Sequence, residues 1–224
     1  AVAHESEELL ILELELESDE DDEADNDFRW IRTFFVKLKQ SANRYTASQA
    51  AAEQVKEILG YDRVMIYEFD KEWNGKVIAE AKETQLEPFL GHHYPASDIP
   101  KQARELYLRN WLRTIVNVDY TPVEITPTLQ PLTGRPLNLS LSVLRSVSPR
   151  HLEYLKNMGV GATVTISLIH DGQLWGMMTC HHCSPKYVTH RIRNLCKFLG
   201  AFLSYELYQR LQLDAYQAAL RLRT

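Results

Sequence analysis

Hydrophobic positions recur every three to four residues in several parts of the chain, which is the spacing of an amphipathic helix. The segments with this spacing are Phe28–Leu38, Thr46–Leu59, Lys101–Arg113, Ser148–Gly159 and Val188–Thr224. The second would open with a capping box at Thr46–Gln49 and stop at Gly60. A serine cap followed by Pro149 in the first turn favours a helix start at Ser148. In the last segment, a leucine-rich stripe continues to Leu220.

Strand patterns occupy much of the remaining hydrophobic sequence. The four main ones are Arg63–Phe69, Lys76–Ala81, Ala162–Ile169 and Gln173–His181. The first two are predicted to form a hairpin around Asn74-Gly75, and the last two a hairpin around Asp171-Gly172. This order of helices and hairpins predicts an α+β domain, in which an antiparallel sheet is flanked by helices and followed by a long C-terminal helix.

The N-terminal segment differs in composition from the rest of the chain. Residues 1–27 hold 13 acidic and no basic residues, whereas the remainder holds 25 basic and 17 acidic residues. Residues 18–27 are almost wholly acidic, which predicts a mobile loop. Alternating polarity up to Glu17 suits one strand with a solvent-exposed face, and a single strand cannot bury itself. We therefore interpret residues 1–17 as part of another domain, 28–205 as the main domain, and 206–224 as a helix leaving it.

Composition also bears on the class of protein. Lysines and arginines are scattered among carboxylates, so an ordinary solvated surface is favoured over a nucleic-acid-binding face. Apolar runs fall well short of the roughly 18 residues that would suggest a membrane span. Three cysteines, an odd number, do not suggest a disulfide framework, and a reducing cytoplasmic location is expected.

The segment His92–Pro100 contains the first candidate site. Pro95 and Pro100 restrict the backbone at both ends of the four residues between them, so this loop is stiff enough to aim a carbonyl at a ligand. On spacing alone, Asp98 could equally cap the helix that begins near Lys101, or pair with an arginine.

Two further motifs carry histidines. His151 lies in the first turn of the helix predicted from Ser148, with Tyr154 on the same face, and could make a pocket sensitive to pH. In Cys180-His181-His182-Cys183, strand alternation directs Cys180 and His181 to opposite faces. A structural zinc usually needs four ligands, and this cluster offers one Cys-x-x-Cys without a second, so we expect neither a metal site nor a thioredoxin-like site.

Four motifs together resemble the chromophore-binding GAF domain of phytochromes and bacteriophytochromes. They are YDRVMIYEF at 61–69, GHHYPASDIP at 91–100, SVLRSVSPRHLEYLKNMGVGA at 142–162 and QLWGMMTCHH at 173–182. The resemblance runs from about Tyr61 to the C-terminus. More weakly, residues 1–17 resemble the last strand of the PAS domain that precedes the GAF domain in phytochromes.

The resemblance implies a photosensory module that binds a linear tetrapyrrole, biliverdin or phycocyanobilin, for red and far-red light sensing by double-bond isomerisation. It implies that the Asp98 backbone oxygen accepts from the pyrroles. The resemblance implies that Arg113, Arg145 and Tyr107 contact the propionates, and that His181, Thr163 and Thr165 lie near the last ring and a propionate. The other residues implied to contact the cofactor are Met65, Tyr67, Tyr94, Ile99, Pro100, Ser148, His151 and Tyr154.

Attachment is where this chain departs from the pattern. The family bonds its bilin to a cysteine beside the histidine matching His151, or to one near the N-terminus of the PAS domain. Here Arg150 occupies the first position and no cysteine precedes Cys180. We therefore expect non-covalent binding, with Cys183 as a minor alternative.

Other consequences follow from the same resemblance. In the family a PHY domain follows the GAF domain, and the output is often a histidine kinase further on. The chain itself, which lacks that kinase, is therefore expected not to be an enzyme. Two copies could pair through their C-terminal helices. The alternatives are a GAF domain that regulates or dimerises without a chromophore, and an engineered near-infrared fluorescent reporter.

Overall fold

The computed structural model describes residues 1–15 and 24–221. The helices within these residues are α1 Ala24–Gln40, α2 Arg44–Leu59, α3 Lys101–Arg109, α4 Pro149–Asn157 and α5 His190–Arg221. The strands are β1 Val2–Ser6, β2 Leu9–Glu13, β3 Arg63–Phe69, β4 Gly75–Lys82, β5 His93–Tyr94, β6 Leu112–Ile115, β7 Ala162–His170 and β8 Gln173–His182.

A six-stranded antiparallel sheet organises the domain, in the order β5-β4-β3-β8-β7-β6. The predicted α+β architecture is confirmed, including both central hairpins and the long C-terminal helix. In the β7–β8 turn, Asp171 and Gly172 have φ of 49° and 72°. These positive values belong to the mirror-image turn that suits the twist of a two-stranded ribbon.

The two faces of the sheet have different coverings. Helices α1, α2 and α5 pack on one face, where Val64, Ile166, Met178 and Cys180 are all at most 1% exposed. The other face carries α3, α4 and a cleft, with Met65 and Met177 turned toward it. Because successive strand residues point to opposite faces, β8 serves the core with one set of side chains and the cleft with the other.

Two helix starts differ from the prediction. Helix α1 begins at Ala24, so the acidic loop predicted over residues 18–27 extends too far at its C-terminal end. Residues 18–23 of that predicted loop lie outside the described part of the chain. Helix α2 has Asn43 as its N-cap, which accepts from the Thr46 amide at 3.0 Å while the Thr46 hydroxyl accepts from the Asn43 amide at 3.1 Å. The capping box therefore starts three residues before the predicted one, and the helix ends as predicted at Gly60.

The helix predicted over Lys101–Arg113 is too long. Helix α3 stops at Arg109, and Leu112–Ile115 forms the edge strand β6 paired with β7, with Arg113 opposite Thr165. Pairing with a distant strand buries Leu112 and Ile115, which outweighs the helical spacing. Tyr107 and Arg113 consequently lie on different elements.

The turn between β3 and β4 also differs from the prediction. It spans Asp70–Asn74, closed by the Asp70 carboxylate accepting from the Asn74 amide at 2.8 Å, and Trp73 has a φ of 68°. Gly75 is the first residue of β4. A β-carbon there would lie 1.6 Å from Cζ of Tyr67, so glycine serves the close approach of this ring.

The predicted lone N-terminal strand is wrong, since β1 and β2 form a hairpin paired from Val2–Glu13 to Ser6–Leu9. Pairing supplies the backbone partners that a single strand lacks. The hairpin is also tied to the main domain, because the Ser6 hydroxyl donates to the Asn138 carbonyl at 3.0 Å. Among the described residues, none of the helices combines the length and apolarity needed to cross a membrane.

Candidate functional site

A cleft lies on the face of the sheet opposite α1, α2 and α5. Strands β3, β4, β7 and β8 form its floor, and α3, α4 and the segment around Asp98 form its walls. The residues lining it are Met65, Tyr67, Val77, Tyr94, Asp98, Ile99, Tyr107, His151, Tyr154, Leu155, Met158, Thr163, Thr165, Met177, Thr179 and His181. Mostly apolar walls with a few polar groups are typical of a small-molecule site.

Most residues implied by the motifs meet in this cleft. Those that line it are Met65, Tyr67, Tyr94, Asp98, Ile99, Tyr107, His151, Tyr154, Thr163, Thr165 and His181. Pro100, Ser148, Arg113 and Arg145 are not among the lining residues. The lining residues absent from the predicted set are Val77, Leu155, Met158, Met177 and Thr179. Strand alternation could have found Met177 and Thr179, because they share a face with His181.

The loop before α3 is held rigidly at one wall. Residues Ala96–Asp98 form a short 3-10 turn, and the Arg104 guanidinium donates to the Ile99 carbonyl at 2.6 Å while lying 4.6 Å from the Trp73 ring centroid. The N-cap of α3 is Pro100, without a side-chain hydrogen bond. The alternative in which Asp98 caps this helix is therefore wrong, as is its pairing with an arginine among the described residues.

Two histidines bring neutral polar groups to the cleft. Burial lowers the pKa of His151, with a further contribution from the nearby charge of Arg113. Burial also lowers the pKa of His181 to about 4, assisted by the charges of Arg63 and His151. Each ring is consequently neutral at pH 7 and offers one N–H donor and one acceptor nitrogen.

One of the residues lining the cleft carries a polar atom without a protein partner. The Thr163 hydroxyl is buried and has no hydrogen-bond partner within the described residues. Such a group costs free energy unless a ligand or water satisfies it. The site thus suits a ligand that combines a flat apolar body with several hydrogen-bonding groups.

Tyrosines form an aromatic wall at one end of the cleft. The ring centroids of Tyr67 and Tyr94 lie 5.8 Å apart, and Tyr67 meets Phe69 edge-on at 5.3 Å. Burial raises the pKa of both tyrosines, and raises that of Tyr154 to about 12. These hydroxyls therefore stay protonated at pH 7 and act as neutral donors and acceptors.

Arg113 and Arg145 lie beside the cleft near Tyr107. Arg113 donates to the carbonyls of Val143, Arg145 and Ser146 at 3.3, 2.8 and 3.2 Å. Burial lowers the pKa of Arg113 to about 10, and the positive charge of Arg145 contributes. Within residues 1–15 and 24–221, neither guanidinium pairs with a carboxylate, and both donate to backbone carbonyls instead.

The cysteines stand apart from the cleft. Cys180 and Cys196 are fully buried in the helix-covered core, and burial raises the pKa of both thiols. Cys183 is exposed as a residue, but partial burial of its thiol and the neighbouring Asp62 carboxylate raise the pKa of that thiol. Arg150 points to solvent from α4. In the described part of the chain, three or more histidines, cysteines or carboxylates nowhere cluster as metal ligands.

Residues 43–207 match the family model of the GAF domain. This chain belongs to the GAF domain family. At 50% identity over 209 residues, the GAF protein is similar to cyanobacterial phytochrome B of Nostoc sp., covering 92% of this chain and 28% of that relative. It is 54% identical over 149 residues to a bacteriophytochrome of Xanthomonas campestris, covering 66% of this chain and 24% of the relative.

Solved structures agree with this assignment. The GAF protein superposes on the chromophore-binding domain of Stigmatella aurantiaca bacteriophytochrome (Thr289His mutant, Pr state) with a TM-score of 0.86 at 47% identity, covering 92% of this chain and 68% of that one. For bacteriophytochrome RpBphP3 from R. palustris the TM-score is 0.92 at 38% identity, and the match covers 99% of this chain and 44% of that one. The resemblance to phytochromes and bacteriophytochromes is thereby confirmed, and this chain spans about a quarter of the two curated relatives.

Proposed function

We propose that this GAF domain is a photosensory module that holds a linear tetrapyrrole, biliverdin or phycocyanobilin, in the cleft. The observation that carries the proposal is the grouping of His151, His181 and the unpartnered Thr163 hydroxyl between aromatic and apolar walls, in a chain homologous to phytochromes. This donor and acceptor set matches the N–H and carbonyl groups along the edge of a bilin.

The residues at the two ends of the cleft would hold different parts of such a cofactor. The backbone oxygen of Asp98, on its stiff loop, would accept from the pyrrole N–H groups, with Ile99 and Pro100 packing beside the rings. Arg113 and Arg145 would receive the propionates, since a guanidinium can bind a carboxylate through two parallel hydrogen bonds. Tyr107 and Ser148 would add hydroxyls there.

Bound bilin would supply red-light absorption and isomerisation of the double bond between its last two rings. Tyr67 and Tyr94 line the cleft in contact with each other, so both would adjoin the ring that rotates. His181, on β8, lines the same cleft and would hydrogen-bond the cofactor there. Strand β8 pairs with β7, which packs on α5, so a shift here has a contiguous path to the C-terminal helix.

We further propose that the thiols of these 224 residues do not bond the cofactor. The position beside His151 holds Arg150, and the three cysteines lie outside the set of residues lining the cleft. An arginine cannot add to a vinyl group. Cys183 remains the minor alternative, because it follows the strand that carries His181.

The whole-protein context is part of the same proposal. One homologous structure is described as a phytochrome photosensory core module, of which this chain covers 44%. We infer that PAS and PHY domains flank this GAF domain in a longer parent protein in the cytoplasm, and that the domain itself passes a signal rather than catalysing a reaction. Pairing of two copies through α5 stays a prediction; Phe198 and Tyr205 on this helix are 51% and 53% exposed.

Absorption spectroscopy of the purified protein, mixed with biliverdin and separately with phycocyanobilin, tests the proposal. A structured red band that photoconverts under red light, with free pigment released on acid-urea denaturation, is the expected result. No red band with either pigment would overturn it in favour of a chromophore-free regulatory domain. Strong near-infrared emission without photoconversion would instead favour the fluorescent reporter.

A gain-of-function variant separates attachment from binding. Arg150→Cys should convert the loosely held phycocyanobilin into a protein-bound pigment that fluoresces with zinc on a denaturing gel. The control, Cys183→Ser, should leave the non-covalent spectrum unchanged. A zinc-fluorescent band in the unmodified protein that disappears in Cys183→Ser would refute non-covalent binding.

A further inference from the structure

The segment 140–146, which contains Arg145, contacts both Arg113 and the N-terminal hairpin. On one side, the Arg145 guanidinium donates to the carbonyls of Ser140 and Ser142 at 3.2 and 3.0 Å. Arg113 donates to carbonyls of the same segment, including that of Val143. The positions of both guanidinium groups therefore depend on where this stretch of backbone lies.

On the other side, a carboxylate from β2 holds the same backbone. Glu13 is 7% exposed, and its two oxygens accept from the amides of Val143 and Leu144 at 3.0 and 2.7 Å. Val143 thus donates its N–H to Glu13 and offers its carbonyl to Arg113. A single peptide segment joins the N-terminal hairpin to the arginine pair.

Electrostatics supports the same arrangement. Although burial dominates and lowers the pKa of both Arg113 and Arg145, the charge of Glu13 opposes this effect at each of them. No described carboxylate forms an ion pair with either arginine. Glu13 therefore acts on both arginines through the segment without pairing with them, and their positive charges are not neutralised by a carboxylate while they donate to carbonyls of that segment.

We propose that Glu13 is a positioning residue for the anionic end of the cleft. The hairpin of β1 and β2, through Glu13, holds segment 140–146 so that Arg113 and Arg145 meet the two carboxylates of a bilin. Docking of the N-terminal hairpin and binding of a dicarboxylate ligand are consequently coupled. This inference rests on the function proposed above.

Removing the Glu13 charge has two opposite effects. Loss of two charge-assisted hydrogen bonds loosens the segment and moves the arginines, which weakens carboxylate binding. Loss of a negative charge makes the arginine pair more attractive to an anion. We expect the first effect to dominate, because Glu13 forms no ion pair with either guanidinium group, whereas its hydrogen bonds hold the backbone to which both groups donate.

The test compares Glu13→Gln with the unmodified protein in titrations with biliverdin and with biliverdin dimethyl ester, which keeps the rings but lacks both charges. We expect Glu13→Gln to raise the Kd for biliverdin about tenfold, which is about the effect of losing one hydrogen bond between a guanidinium group and a propionate. The Kd for the ester, which has no propionate charge, should rise less than about twofold. Equal losses for both ligands, or tighter binding of biliverdin, would overturn the proposal. Failure of the unmodified protein to bind either would instead count against the proposed function.

A matched control and a second measurement keep the inference testable apart from pigment binding. Glu15→Gln makes the same charge change two residues away, where Glu15 pairs with Arg193 on α5. It should lower the Tm yet leave the ratio of the two dissociation constants unchanged. Without ligand, amide hydrogen exchange in residues 139–147 should quicken in Glu13→Gln and not in Glu15→Gln. Unchanged exchange in Glu13→Gln would refute the positioning role.

Discussion

His181 remains neutral because its surroundings oppose a second proton. It lies opposite Arg63 in the pairing of β3 with β8, and it lines the same cleft as His151. Burial, together with these two positive or potentially positive neighbours, lowers its pKa to about 4. A neutral imidazole can both donate and accept, which suits the hydrogen bond to the cofactor proposed for the cleft.

The lowered pKa of His181 predicts a pH-dependent stability. Unfolded protein binds a proton at this histidine below about pH 6.5, whereas the folded protein binds it only below about 4. Stability should therefore fall as pH drops between these values, by about 2 kcal/mol after allowing for partial exposure. Urea unfolding from pH 4 to 7 would measure this against His181→Gln, in which the fall should be smaller by that amount. The same slope in both proteins would contradict the assignment.

At the scale of elements, Glu80 on β4 joins the sheet to the loop that leads into the cleft wall. It pairs with Arg63 at 2.8 Å and accepts from the amides of Phe89 and Leu90 at 2.9 and 3.1 Å. The Arg63 guanidinium also lies 3.8 Å from the Phe89 ring centroid. This loop continues into Tyr94, so the buried pair sets the position of one wall.

Breaking this pair should be costly. Glu80→Gln leaves Arg63 buried without its charge partner, and we expect it to lower the free energy of unfolding by about 3 kcal/mol. The control Glu83→Gln removes a more exposed pair with Lys56 and should cost less than about 1 kcal/mol. Urea denaturation of both variants provides the comparison. Similar losses in the two would show that burial does not decide the strength of these pairs.

The molecule as a whole is divided by its sheet into a helix-packed core and a ligand-accepting side. Neighbouring residues of β8 belong to different sides, since Thr179 lines the cleft while Cys180 is fully buried against the helices. Stability and ligand recognition are thus carried by alternate residues of one strand.

Two adjacent substitutions should separate these roles. Cys180→Ser places a hydroxyl in an apolar core and should lower the free energy of unfolding by about 2 kcal/mol without shifting the absorption of bound biliverdin. Thr179→Val keeps the shape, should change stability by less than about 1 kcal/mol, and should shift the red band by removing a hydroxyl from the cleft. Thermal melts and absorption spectra report the two effects. A spectral shift in Cys180→Ser alone would contradict this division.

Much of the candidate site could be predicted because its parts are local in sequence. The resemblance to phytochromes assigned Thr163, Thr165 and His181 to one pocket, and the two prolines around Asp98 indicated a stiff loop. The structure brings these residues to one cleft. Arg113 and Arg145 could not be placed from periodicity, since their positions depend on carbonyls some 30 residues away and a few residues away, respectively.

By itself, the sequence determined the helices α2 and α4, the two central hairpins and the α+β class, because periodicity, turn residues and Gly60 act within a few residues of one another. Tertiary structure decided what depends on distant partners. Leu112–Ile115 became a strand because β7 was available to pair with it, and the acidic N-terminal segment docked because Glu13 met the amides of Val143 and Leu144. Long-range pairing replaces local preference where it buries apolar side chains or satisfies backbone groups.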